Sequence, residues 1–206
     1  TAMEMPRTIH DFGGFPQALF DVDYPAPGNP LLAKETAEIL LPVLVEEDHE
    51  WGLDHGAWSV IKHMYPEANI PVIQMSIDYT QPAQYHFELA QRLQKLREKG
   101  ILIIGSGNIV HNLRLIDWRN INTVGAGWDW AIEAREKTNS WLLDGDFSRL
   151  INYQDQSTAL QIAVPSPDHY LPLMYTLGLK HTSEDLHLFN DELIGGSLSM
   201  KSVMIK

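Results

Sequence analysis

The chain has 206 residues, 44% of them hydrophobic, enough for a globular fold with a sizeable core. Its formal net charge of -12 argues against a nucleic-acid partner, since such sites need Lys and Arg to displace counterions. It contains no cysteine, which excludes disulfides, zinc ribbons and iron–sulfur clusters and leaves His, carboxylate and water as metal ligands.

No stretch reaches the roughly 20 apolar residues of a membrane span. No basic–apolar export segment opens the chain, so the expected location is the cytoplasm. Tyr24 to Pro30 is a loop broken by prolines and a glycine. Ala33, Ala37, Leu40, Leu41 and Leu44 then recur at helical spacing, with Pro42 breaking or kinking the pattern. Trp51 to Trp58 is a glycine-bracketed turn into a short helix that stops near Pro66, and Asp54 is placed to cap it. Residues 71–78 read as a buried strand. Residues 82–99 read as an amphipathic helix with the stripe Tyr85, Leu89, Leu93 and Leu96, and Gly100 as its C-terminal cap. The aliphatic run 101–104 reads as a strand covered on both faces. Residues 128–141 and 170–178 are predicted helical, and 197–205 a last strand. Strand, helix and strand in this order predict an α/β fold, a single domain with a mixed, mainly parallel central sheet flanked by helices.

Nine histidines are present. His49, His63, His86, His181 and His187 lie among polar residues or on apparent helix surfaces and point to no chemistry. His111 follows Gly105-Ser106-Gly107-Asn108, just past the aliphatic run, where α/β sheets bind ligands. The glycines let the backbone turn tightly there. A structural histidine bonded to a carbonyl is the bland alternative. A dinucleotide fingerprint is not supported, because Val110 stands where its third glycine would be. His169 lies in a turn stiffened by Pro165, Pro167 and Pro172, which suits a ligand held before its metal arrives, or simply a rigid loop. His55 projects from the first turn of the helix that Asp54 caps. Phe12 and Phe15 could line an aromatic pocket or plug a loop. There is no G-x-S-x-G elbow, no H-E-x-x-H and no Walker loop, so hydrolase and kinase readings have no support.

Five segments in order resemble the 4,5-DOPA extradiol dioxygenase family, in the superfamily of the protocatechuate 4,5-dioxygenase catalytic subunit. They are His10-Asp11-Phe12-Gly13-Gly14-Phe15-Pro16, Gly52-Leu53-Asp54-His55-Gly56, Gly107-Asn108-Ile109-Val110-His111-Asn112-Leu113, Asp168-His169-Tyr170-Leu171-Pro172-Leu173 and Gly195-Gly196-Ser197-Leu198-Ser199-Met200. The resemblance implies an extradiol dioxygenase that opens a DOPA-like catechol with O2 at a non-haem metal and yields a semialdehyde. Fe(II) is the implied working metal, with Zn(II) a substitute in purified protein. His169 is implied as a metal ligand, His111 as an acid–base residue or ligand beside the metal, and His55 as a pocket residue aiding proton transfer. The family's two further histidine ligands sit in G-H-G-S-P and S-A-H-W turns, and neither turn occurs here. Thr1 matches the family just after the second. Residues 1–206 are therefore expected to be a dioxygenase-like domain that lacks the family's N-terminal strands, in a protein whose natural form carries them. A metal-binding relative without oxygenase activity, an enzyme for other aromatics, and an interaction module stay open. So does a homo-oligomer.

Overall fold

The computed structural model describes residues 1–206, and its contacts divide the chain into two compact units, residues 1–76 and 77–206. No helix is long and apolar enough to cross a membrane.

The first unit is built from three helices and extended connections. Helix α1 is the single turn Gln17–Phe20. Helix α2, Pro30–Leu40, starts where the sequence predicts: the Asn29 side chain accepts from the Leu32 N–H, and Pro30 takes the first helical position. It stops at Leu40, so Leu41 and Leu44 do not extend its apolar face and are exposed. Helix α3, His55–Met64, is capped by Asp54, whose side chain accepts from the Ala57 N–H at 3.1 Å. The core beside it gathers Tyr24, Ala26, Leu53, Trp58 and Ile61, with Phe12, Val22 and Val72 packed against them. The indole N–H of Trp58 donates to the Ile9 carbonyl, and a parallel bridge joins Thr8 to Leu53. A Cβ on Gly52 would lie 2.0 Å from the Arg7 carbonyl oxygen, so only glycine lets these two stretches approach.

In the second unit the predicted helix 82–99 forms as two pieces, α4 (Ala83–Arg92) and the turn α5 (Gln94–Arg97). Leu89, Leu93 and Leu96 are buried as expected, and Gly100 adopts φ 78° with its N–H on the Arg97 carbonyl. Helix α6 (Asp129–Asp144) ends in the same way at Gly145, φ 69°. The short helices α7 (Phe147–Ile151) and α8 (Thr158–Ala163) follow. Helix α9 (Leu171–Gly178) carries Pro172 in its first turn, as predicted. Helix α9 packs on α4, and α8 on α6, around a core that includes Val110, Ala134, Leu142, Leu150, Leu160, Tyr170 and Met174. A Cβ on Gly178 would lie 2.3 Å from the Phe87 carbonyl oxygen, which explains the glycine at the α4–α9 contact.

His86 corrects an expectation. It is fully buried on α4 rather than solvated, with Nδ1 3.0 Å from the Tyr175 hydroxyl and Nε2 3.1 Å from the Asp78 carbonyl. Burial holds its pKa below the ordinary histidine value, so the ring is neutral near pH 7.

The sheet expectation is met only in part. The fold is mixed α/β, but its ladders are two small antiparallel pairs. Strand β1 (Leu186–Phe189) pairs with β4 (Ser202–Ile205), and β2 (Leu193–Ile194) with β3 (Leu198–Ser199). The predicted last strand is thus broken into β3 and β4, and β1 was not anticipated. The runs 71–78 and 101–104 belong to no ladder. Leu102 and Ile104 are exposed, so the run 101–104 is not covered on both faces. Aliphatic composition suits a strand, but a strand exists only when neighbouring backbone takes up its N–H and C=O groups.

Candidate metal and acid–base site

The second unit brings two of the three singled-out histidines together. The residues after 101–104 run along the start of α9. A Cβ on Gly105 would lie 2.4 Å from the Pro172 carbonyl oxygen, and one on Gly107 would lie 2.1 Å from that of His169. Neither glycine has a positive φ. They are needed for close approach, not for a tight turn. The approach lets the Asn108 N–H donate to the His169 carbonyl at 2.9 Å, while the Asn108 side-chain amide donates to the Ser199 carbonyl at 2.7 Å. The His111 N–H donates to the Ala163 carbonyl, and His111 forms an antiparallel bridge to Leu198. Main-chain bonds to α8, β3 and the 165–170 turn therefore fix His111.

The His111 ring is 2% exposed and lies against the His169 ring, with centroids 4.9 Å apart and planes at 33°. His111 Nδ1 is 3.1 Å from the Asn108 carbonyl oxygen and Nε2 is 3.0 Å from that of Ser166. Both carbonyls accept only, so a neutral ring leaves one nitrogen lone pair facing an acceptor, whereas a protonated ring donates to both. Burial and the neighbouring His169 lower the His111 pKa, the two carbonyls and Asp168 oppose them, and the net shift is downward. The opposed influences suit a group that takes up and gives back a proton. The same two contacts would also satisfy a structural histidine. What sets this one apart is its company.

That company is Asp168 and His169. One donor atom from each of His111, Asp168 and His169 lies within 4.8 Å of the others. His169 Nδ1 is 2.7 Å from Asp168 Oδ2, yet misaligned for a hydrogen bond, so this buried nitrogen has no hydrogen-bond partner. A buried imidazole nitrogen without a partner beside a carboxylate is what a cation would satisfy. An imidazole and a carboxylate, with a second imidazole beside them, are donor types that suit iron(II) or zinc, so the cluster fits the metal implied by the sequence. Asp168 is partly buried, which alone would raise its pKa. The Ser166 hydroxyl, a backbone N–H and His169 outweigh this and hold it below its ordinary value, ionised at neutral pH. Asp168 was quoted in the sequence motif but given no role; its place between two prolines and next to His169 was the available signal. Two surface clefts, one around Glu47, Asp48 and Trp51 and one around Leu143, Lys180 and His187, contain none of these residues.

With this geometry in hand, comparison with known proteins is decisive. Residues 2–197 match the family described as the catalytic LigB subunit of aromatic ring-opening dioxygenase. The chain belongs to the LigB family. Its relatives include 4,5-DOPA dioxygenase extradiol of Escherichia coli (strain K12), 46% identical over all of this chain and 76% of the relative. The protein of the same name from Beta vulgaris is 34% identical over 97% of this chain and 74% of its own length. A crystal structure of an uncharacterized protein from Escherichia coli K12 superposes with TM-score 0.80 at 37% identity, covering 98% of this chain and 80% of that one. The chain thus spans about three quarters of the length of these LigB relatives, and the dioxygenase class expected from its five motifs is borne out.

His55 lies in the first unit, as the first residue of α3, about half exposed. Its Nδ1 is 2.8 Å from Asp11 Oδ1, and Phe12 meets its ring edge-to-face at 5.5 Å. Phe12 also touches Phe15, Phe20 and Trp58. The predicted aromatic segment therefore forms a cluster around His55, which the sequence did not show.

Proposed function

We propose that this LigB-family chain takes part in extradiol opening of a DOPA-like catechol by O2, with His169 and Asp168 holding the metal end of the site and His111 moving the protons. The cluster of His111, Asp168 and His169 carries the reading. Iron(II), if held there by His169 and Asp168, would supply Lewis-acid and O2-activating chemistry. His169 offers its unpartnered ring nitrogen to that ion, and Asp168, ionised and adjacent, adds negative charge. His111 keeps Nδ1–H on the Asn108 carbonyl, and Nε2 is its working atom. It accepts a proton from a catechol hydroxyl once the Ser166 carbonyl gives way, and returns it later to the departing oxygen. His55 assists proton transfer at the substrate. The two relatives named above, both 4,5-DOPA dioxygenases by name, support this substrate class.

The same reading makes 71–78 and 101–104 strands of a mainly parallel sheet; their aliphatic composition supports it. The testing experiment loads the chain anaerobically with Fe(II), adds DOPA and air, and follows O2 uptake with the yellow absorbance of a semialdehyde. One O2 consumed per ring opened is the expected result. Bound metal without O2 uptake would favour the alternative, a metal-binding relative with no oxygenase activity.

A further inference from the structure

The first unit pairs His55 with a carboxylate that the family reading leaves without a task. Asp11 Oδ1 receives two hydrogen bonds from one residue, the backbone N–H of His55 at 3.0 Å and its ring Nδ1 at 2.8 Å. At the helix start Asp54 takes the Ala57 N–H and Asp11 the His55 N–H, so the bond to the ring is additional to capping. Asp11 therefore adds a second carboxylate, and its contact reaches past the backbone to the imidazole.

We infer that Asp11 is a positioning residue for His55, holding the ring as the Nδ1–H tautomer so that Nε2 presents its lone pair. The inference rests on the reading of His55 as a proton-transfer group. An ionised carboxylate only accepts, so the nitrogen facing it must carry the hydrogen. Partial burial would raise the Asp11 pKa, but the hydrogen bonds from His55 outweigh it and keep the carboxyl below its ordinary value. The backbone bond ties Asp11 to the α3 N-terminus, and the edge of Phe12 limits rotation of the ring. An Asp–His pair of this kind fixes tautomer and orientation in other acid–base sites. His10, in the same aromatic cluster, contrasts with it: its Nε2 lies on the Val22 carbonyl rather than on a carboxylate.

The test uses the full chain with 15N-labelled histidine and two variants, Asp11→Ala and Asp11→Asn. Long-range 15N–1H correlation spectra report which His55 nitrogen carries the proton. In wild type, Nδ1–H is expected. In Asp11→Ala the ring should revert to the Nε2–H form that free imidazole side chains favour, and kcat should fall roughly tenfold with KM within about twofold. Asn keeps an accepting oxygen, so Asp11→Asn should recover part of both the Nδ1–H signal and kcat. An Asp11→Ala variant that keeps Nδ1–H, or that raises KM alone, would overturn the inference. Should the wild-type chain open no catechol, the role of His55 falls with it, and the tautomer spectra alone then decide for or against Asp11.

Discussion

The two histidine sites differ in what holds them. His111 in the second unit is sealed in, with both ring nitrogens on main-chain carbonyls and its backbone bonded to α8. His55 in the first unit is about half exposed and held by one carboxylate and one aromatic edge. A ring positioned by backbone can be displaced only by moving the chain. A ring positioned by a side chain can be retuned by one substitution. The first arrangement suits a group whose place is fixed by the fold, the second a group whose orientation is set locally.

The sharpest break in this comparison is His111→Ala. If His111 moves the protons and His169 faces the metal, turnover should drop by roughly 10³-fold while bound metal persists. Metal analysis and O2 uptake on the same sample check both halves; wild-type-like turnover would remove His111 from the chemistry. His169→Ala should lose both together.

Gly107→Ala tests whether backbone really positions the site. The added methyl would meet the His169 carbonyl at 2.1 Å, and that carbonyl cannot swing aside like a side chain. A stability loss of roughly 2 kcal/mol or more is expected, read from the denaturation midpoint, with metal affinity falling alongside. A variant that binds metal like wild type would show the close approach to be incidental. Asp168→Asn is milder: it keeps shape but removes charge, and metal affinity should fall about 10- to 100-fold. Isothermal titration with Zn(II) measures this without relying on turnover.

How much of this was legible beforehand divides along the same line. Caps and close contacts leave local marks: Asn29 with Pro30, Asp54, Gly100 and Pro172 each behave as residue chemistry predicts. His111 and His169 could be singled out because turn-forming residues surround them, and the structure puts their rings together. The reason for Gly107 was misjudged, because sequence cannot show that the His169 carbonyl lies 2.1 Å from where a Cβ would sit. His86 was misplaced for a related reason. A polar residue on a helix reads as solvated until its partners, Tyr175 and Asp78, are known. Asp11 and His55 are 44 residues apart, and no periodicity links them. Of the sheet only the composition was legible and not the pairing, since 101–104 has strand composition without a ladder.

The smallest expected effect is the pH response of the second unit, where charge rather than backbone does the holding. Arg97 pairs with Glu184 through two hydrogen bonds, and this holds the Glu184 carboxyl down at about 2. A depressed folded pKa means the contribution is present above the unfolded value, near 4.5, and is lost as pH falls toward about 2. Solvent screening limits it to about 1 kcal/mol or less. His86 acts over a higher range. Its folded pKa is lowered by burial, so the unfolded chain binds a proton more readily, and stability declines as pH drops below about 6.5. Two steps are therefore expected in the denaturation midpoint of the chain, one beginning just below neutrality and one below pH 4.5. Arg97→Met should shrink the lower step, to which Asp168 and Asp191 also contribute, and leave the upper one unchanged. If the lower step keeps its full size after that substitution, the ion pair adds nothing to the acid response, and the other carboxylates of the unit carry it.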